Sequence, residues 1–256
     1  MKLLARTQPL AKYPIHRCLE VIRQLGYDGV EICLENPDLA PARLDAALVA
    51  AVRAQVAGLG LAPYSVSYHK DFIHNDTFLR ETQEAIRWTP EFGTDLFVLA
   101  GTRKRPDDPD EWPRMVDRTG ELVRVAEECG VTLAEEFEPG FIVGCTAELL
   151  RLFEEVGSPR LSANLDLGHV FLCDPDPLAA IRQVGSRIVH GHVENMAAGV
   201  HEHLLPWEGA MDLGAYLRAL REVGFAGGLA LDLYKHDYEG VSPRCIAYLR
   251  GILSEL

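Results

Sequence analysis

The chain has 256 residues, of which 48% are hydrophobic and 25% charged, with 22 glycines and 15 prolines. That composition excludes disordered, collagen-like and disulfide-scaffold classes, and the length suits two small domains or one α/β barrel of about 250 residues. With 25 Lys and Arg against 38 Asp and Glu, the net charge is −13, which repels phosphate backbones and argues against nucleic acid as a partner.

No apolar run approaches the roughly 20 residues needed to span a bilayer, so no membrane partner is expected. The opening Met-Lys-Leu-Leu-Ala-Arg has neither the apolar stretch nor the cleavage site of a signal peptide, so a cytoplasmic location is expected. The six cysteines include no C-x-x-C pair and read as reduced thiols.

A first short apolar run, Leu3-Leu4-Ala5, predicts a strand. Seven glycines then each follow a helix-like stretch and precede another apolar run. After Gly26 comes 30–33, after Gly60 comes 63–67, after Gly93 comes 96–99, and after Gly130 comes 131–134. Gly157, Gly185 and Gly224 precede 161–165, 188–190 and 229–231. Glycine suits a helix C-terminus because it accepts the left-handed conformation. Short, nearly continuous apolar runs suit parallel strands covered on both faces.

Helices are predicted between them. In 44–56, Leu44, Leu48, Val52 and Val56 recur every four residues and leave Arg53 and Gln55 outward. The stretch 112–129 opens on an acidic first turn with an early proline, Asp110-Glu111-Trp112-Pro113. Residues 212–223 and 242–256 also fit. Eight strand–helix alternations without a composition break predict a single (β/α)8 barrel over 1–256. The competing open doubly wound sheet would carry a G-x-G-x-x-G after its first strand, and the sequence has none.

Reactive groups of such a barrel collect at the C-terminal ends of the strands. The fifth run ends Glu135-Glu136-Phe137-Glu138, the sixth Asp166-Leu167-Gly168-His169, the seventh His190-Gly191-His192, and the eighth Asp232-Leu233-Tyr234. Four consecutive strands thus end on ionisable groups. Taken singly, each carboxylate reads as a turn or capping group. Together, Glu136, Asp166, His192 and Asp232 offer three oxygen donors and one imidazole, a set suited to a divalent cation such as Mn²⁺, Mg²⁺, Co²⁺ or Zn²⁺. Alternation puts His190 one layer deeper, as a structural group, and points Glu135 outward.

The ordered motifs resemble the xylose isomerase-like sugar (phosphate) isomerase/epimerase superfamily over nearly the whole chain. Gly-Tyr-Asp-Gly-Val-Glu at 26–31 is similar to its second strand, and Leu-Asp-Leu-Gly-His at 165–169 to its Leu-Asp-Thr-Gly-His. His-Gly-His-Val-Glu-Asn at 190–195 resembles His-x-His-x-x-Asp, and Pro-Trp-Glu-Gly-Ala-Met-Asp at 206–212 resembles Pro-Gly-Glu-Gly-x-x-Asp. Leu-Ala-Leu-Asp-Leu-Tyr at 229–234 is similar to Leu-x-x-Glu-x-Tyr.

The resemblance implies that Glu136, Asp166, His192 and Asp232 ligate one metal ion, and that Glu136 and Asp232 move protons across a sugar through a metal-stabilised enediolate. It implies that His169 and His69 contact substrate hydroxyls. Asp232 stands where the family usually has Glu, and its reach is shorter by roughly 1.3 Å. Trp207 replaces a glycine and is expected to wall the mouth. Ile142 stands where many epimerases carry a substrate-binding glutamate, and Glu138 is the nearby carboxylate able to compensate. His201 and His203 flank the site in sequence, as a lid or an ordinary loop.

Phosphate sites in these barrels use the loops after strands seven and eight, yet 195–210 contains no Lys or Arg. The Arg103-Lys104-Arg105 run reads as solvated surface, so a neutral keto-sugar or inositol-like substrate is expected. The leading reading is a metal-dependent sugar isomerase or epimerase. The alternatives are an inosose dehydratase-like lyase on the same scaffold, an endonuclease IV-like phosphodiesterase, and a sugar-binding barrel without catalysis. Relatives of this kind are often homo-oligomers.

Overall fold

The computed structural model describes residues 1–256. Strands form where the apolar runs were predicted: β1 (Lys2–Arg6), β2 (Gly29–Cys33), β3 (Ala62–Ser67), β4 (Leu96–Ala100), β5 (Thr132–Glu136), β6 (Leu161–Asp166), β7 (Ile188–Val193) and β8 (Gly228–Leu231). Between them run α1 (Ile15–Leu25), α2 (Ala46–Gly58), α3 (Asp76–Trp88), α4 (Glu111–Cys129) and α5 (Thr146–Val156). The remaining helices are α6 (Leu167–Cys173), α7 (Pro177–Val184), α8 (Leu213–Glu222) and α9 (Tyr238–Ser254). The strands pair in sequence order, all parallel, and β8 closes onto β1. The expected (β/α)8 barrel is what forms.

All seven glycines picked from the sequence have positive φ, from 58° at Gly185 to 94° at Gly93. At Gly130 the left-handed turn lets its N–H reach the carbonyls of Ala126 and Glu127, closing α4. The chain then re-enters the sheet at β5, whose residues are buried from Leu133 onward. β2, β4 and β6 are buried along their whole length, as strands covered by helices outside and side chains inside must be.

Alternation decides which side chains enter the barrel. Leu99 pairs with Glu135 and Ala100 with Glu136. Glu135 points out among the helices, where it accepts from the Gly101 N–H at 3.1 Å, while Glu136 points in. Asn164 is in register with His190, and Asp166 with His192, one layer nearer the C-terminal rim. His190 is indeed structural: its Nδ1 meets Asn164 Oδ1 at 2.8 Å and its Nε2 meets Ser65 Oγ at 3.0 Å. Burial, outweighing the neighbouring Glu31, lowers its pKa to about 3. It is a neutral floor for the layer above.

Two predicted helices shift. α2 runs Ala46–Gly58, not 44–56, because the Asp45 side chain caps it by accepting from the Leu48 N–H, which leaves Leu44 outside. α9 begins at Tyr238, not Ser242. Ser242-Pro243 reads as a cap followed by an N-terminal proline, but tertiary contacts override that signal. Ser242 is buried, its Oγ donates to the Tyr238 carbonyl at 2.6 Å and meets Tyr27 Oη at 2.7 Å. No helix is long and apolar enough to cross a membrane.

All six cysteines are unpaired. Burial pushes the Cys18 and Cys33 thiols up to about 12, so both are protonated at neutral pH and poor nucleophiles. A thiol reagent at pH 8 should leave Cys18 and Cys33 unlabelled in the native protein and label them once it is denatured. Peptide mass mapping reads this directly, and rapid native labelling of Cys33 would contradict the packing.

Candidate metal centre

Three predicted ligands converge at the C-terminal rim. One carboxylate oxygen each of Glu136 and Asp166 and a ring nitrogen of His192 lie within 4.8 Å of one another, all buried. His192 Nδ1 is 3.3 Å from Glu136 and 3.9 Å from Asp166 Oδ2. The fourth, Asp232, directs Oδ2 to within 4.0 Å of the same nitrogen, but that oxygen is already engaged by the Arg6 guanidinium at 2.6 Å. The shorter side chain of Asp232 thus meets an arginine before it joins the other three.

Behind the ligands stands an orienting layer. His192 Nε2 is 2.9 Å from Glu31 Oε2, and Glu31 Oε1 accepts from Arg6 Nε at 3.0 Å. A carboxylate accepts only, so Glu31 anchors the Nε2 hydrogen, and Nδ1 faces the other ligands. Burial opposes a charged ring, but Glu136 and Glu31 outweigh it and raise His192 well above its usual pKa, so Nδ1 would release its hydrogen to ligate. Asn164 Nδ2 donates to Glu136 Oε2 at 2.9 Å. Asp166 also caps α6, its Oδ1 accepting from the His169 N–H at 2.8 Å. The capping reading holds, and because a carboxylate has two oxygens it leaves Oδ2 available to a cation. Gly168 is required here: a Cβ would run into Glu194 Oε1, which accepts from its N–H at 2.9 Å.

Burial alone would raise the Glu136 carboxyl, but His192 and His69 hold it well below the usual range. Burial likewise opposes a charged His69, yet Glu136 and Glu35 outweigh it and raise that ring to about 10. Asp166 is lowered too, burial notwithstanding, by His169 and other rings, against the opposing charge of Glu136. Asp166 Oδ2 and Asp232 Oδ1 are buried without a hydrogen-bond partner, a costly arrangement for a carboxylate. A divalent cation would satisfy both orphaned oxygens, and two carboxylates plus one imidazole are donors of the right chemistry. The residues fit the ion.

Glu136 and Asp232 of this set open into a cavity of about 350 Å³, within the range of small-molecule sites. Glu136, Glu138, His69, His169, His203 and Asp232 all line it. Trp207 does not line it, a correction to the expectation that it walls the mouth. Its indole lies under the Arg244 guanidinium, 3.9 Å from the ring centroid, and edge-on to Tyr248 of α9. The 196–211 segment folds back because Asn195 staples it, its side chain bonding to Met196, Pro206 and Met211. Ile142 is buried and leaves the cavity wall to Glu138 and Phe141.

Sequence reasoning missed Arg6, Gln8, Lys70 and Tyr234, which also line the cavity. Arg6 ends the apolar run Leu3-Leu4-Ala5, the same signal used for strands five to eight. Glu31 was read only as part of a motif. Its role gives a prediction: Glu31→Gln should weaken divalent-ion affinity about 10- to 100-fold by reducing the basicity of His192. Calorimetric titration with Mn²⁺ measures this, and an unchanged affinity would remove Glu31 from the ligand-orienting layer.

The model of the xylose isomerase-like TIM barrel family matches residues 19–250. The chain is 22% identical to fructoselysine 3-epimerase of Escherichia coli O157:H7 over 95% of both chains. It is 25% identical to an L-ribulose-5-phosphate 3-epimerase of Salmonella paratyphi A, covering 93% of this chain and 91% of that one. The crystal structure of a probable 3-DHS dehydratase from Bacillus anthracis superposes with a TM-score of 0.84 at 15% identity, over 98% and 99% of the two chains, a likeness of fold alone. With its closed barrel, its rim of carboxylates and imidazole and this match across most of its length, the chain belongs to the xylose isomerase-like TIM barrel family.

Proposed function

We propose that the protein is a divalent-metal-dependent sugar epimerase or isomerase that moves a proton on the carbon next to a ketose carbonyl. The convergence of Glu136, Asp166 and His192 beside the cavity carries this reading, and the epimerases among its relatives agree with it. Glu136, Asp166 and His192 would hold the ion, with Asp232 as the fourth ligand and third carboxylate. When bound, the ion would polarise the carbonyl and its neighbouring hydroxyl and favour the negative charge that develops on oxygen.

The remaining chemistry belongs to the chain. Glu136 has two oxygens, so one can take the substrate proton while the other ligates. An Asp232 that starts the cycle protonated gives its proton from the other side of the cavity, and exchange with water returns Glu136 and Asp232 to their starting states. Arg6 lines the cavity and is held by two carboxylates. It therefore presents a fixed, pre-oriented positive charge to a developing oxyanion. His69, Glu138, His169 and His203 are placed to meet the sugar hydroxyls.

A neutral keto-sugar or inositol-like substrate fits best. None of Arg103, Lys104 and Arg105 lines the cavity, and of the two cations that do, Arg6 is paired with Glu31 and Asp232 and Lys70 lies over the Phe78 ring. Lys104 and Arg105 face Glu148 and Asp71 at 3.6 and 3.7 Å, and Arg103 lies over the Phe141 ring.

The test is a panel of ketoses incubated with Mn²⁺-loaded protein in deuterated water. Deuterium entering the carbon next to the carbonyl, with a changed epimer ratio, supports the proposal. Exchange accompanied by water loss and a new enone absorbance would make the protein a dehydratase on the same scaffold. No exchange with any sugar would sink the catalytic reading.

A further inference from the structure

A second group of ligating side chains lies beside the first. One ring nitrogen each of His169, His201 and His203 falls within 4.8 Å of the others. None of the three belongs to the Glu136, Asp166 and His192 group. We propose that these three imidazoles form a second divalent-cation site, selective for zinc-like ions and distinct from the carboxylate centre.

Tautomer chemistry supports it. His169 Nδ1 lies 2.9 Å from the Phe137 carbonyl, and His203 Nδ1 lies 2.8 Å from the Asp232 carbonyl. A carbonyl oxygen only accepts, so each Nδ1 carries the hydrogen and each Nε2 presents a lone pair. This is how metal-ligating histidines are held, with the far nitrogen anchored to a backbone carbonyl. His201 Nε2 sits 3.1 Å from His169 Nε2. Two lone pairs at that distance repel unless a cation or a single hydrogen lies between them.

Two of the three rings, His169 and His203, are also held firmly. His169 is fixed in α6, whose first turn Asp166 caps. His203 is packed edge-on to Tyr234 with ring centroids 4.9 Å apart, and its backbone carbonyl accepts from His236 Nε2 at 2.7 Å. The flanking backbone is tied by paired hydrogen bonds between Asn195 and Leu204 at 3.0 and 2.8 Å. His201 is therefore the one ring left for metal binding to order.

Three neutral nitrogens and no carboxylate favour Zn²⁺ or Co²⁺ over Mg²⁺ or Mn²⁺. Three protein ligands leave at least one coordination position for an outside oxygen, and His169 and His203 both line the sugar-sized cavity. Substrate oxygens would then meet these rings through the ion and not directly. This refines their role without resting on the first site.

The experiment is metal counting on the full-length protein, stripped with chelator, reloaded with Zn²⁺ and desalted. The proposal expects about two zinc ions per chain for the wild type and about one for His201→Ala. Glu136→Ala should also retain about one, now at the imidazole site. Co²⁺ loading gives a second readout, because a tetrahedral three-imidazole site produces an intense visible band. That band should persist in Glu136→Ala and vanish in His201→Ala. Wild-type protein with one zinc, lost in Glu136→Ala and kept in His201→Ala, would overturn the second site and leave the first intact. The reverse pattern would uphold the second and overturn the first. Two zinc ions in His201→Ala would mean a hydrogen bond, and no metal, joins His169 to His201.

Discussion

Glu136→Gln should lower proton exchange on the accepted ketose by about 10³-fold or more while leaving the barrel folded. The amide keeps the size of the side chain and can still accept from Asn164, so packing at this layer survives. Two functions are lost together. Removing a positioned base is worth typically about 10²- to 10⁴-fold, and removing an anionic ligand weakens the ion that acidifies the substrate. Exchange measured by proton NMR at saturating Mn²⁺ separates them, since added metal restores only the second loss. Exchange within tenfold of wild type would take Glu136 out of the chemistry.

Arg6→Met should destabilise the metal-free protein by about 3–5 kcal/mol, because it strands two buried carboxylates, Glu31 and Asp232. For a chain of this size that is a fall in Tm of roughly 6–20 °C. The same change should raise divalent-ion affinity. Arg6 holds Asp232 Oδ2 at 2.6 Å, and without it that oxygen is free to turn to a cation, with one positive charge fewer opposing it. Thermal melts in chelator and in excess Mn²⁺ should therefore show a large deficit in the first and a smaller one in the second. An equal deficit in both would mean that Asp232 never exchanges arginine for metal.

The barrel was legible because its signals are local and repeated. Gly130 ending a helix and Val131 to Ala134 starting a strand need only neighbours in sequence to be understood. Glu136, Asp166 and His192 were legible for a related reason: strand alternation and a common position at the strand end bring them to one level. Arg6 was not, although it satisfies the same rule. A cation among expected cation ligands looks out of place until Glu31 and Asp232 are seen on either side of it. Trp207 was misplaced because its location depends on the fold-back that Asn195 imposes. α9 started early because Tyr27, far away in sequence, reaches Ser242. What the sequence reading missed in each case was a partner remote along the chain.

Glu136, Asp166 and His192 are expected to share one ion at the rim, and anomalous scattering from crystals grown with Mn²⁺ tests that most directly. Mn²⁺ prefers carboxylate oxygen, so the strongest anomalous peak should fall between Glu136, Asp166 and His192, at about 2.0–2.4 Å from each. A crystal saturated with Mn²⁺ that carries no peak there would contradict it.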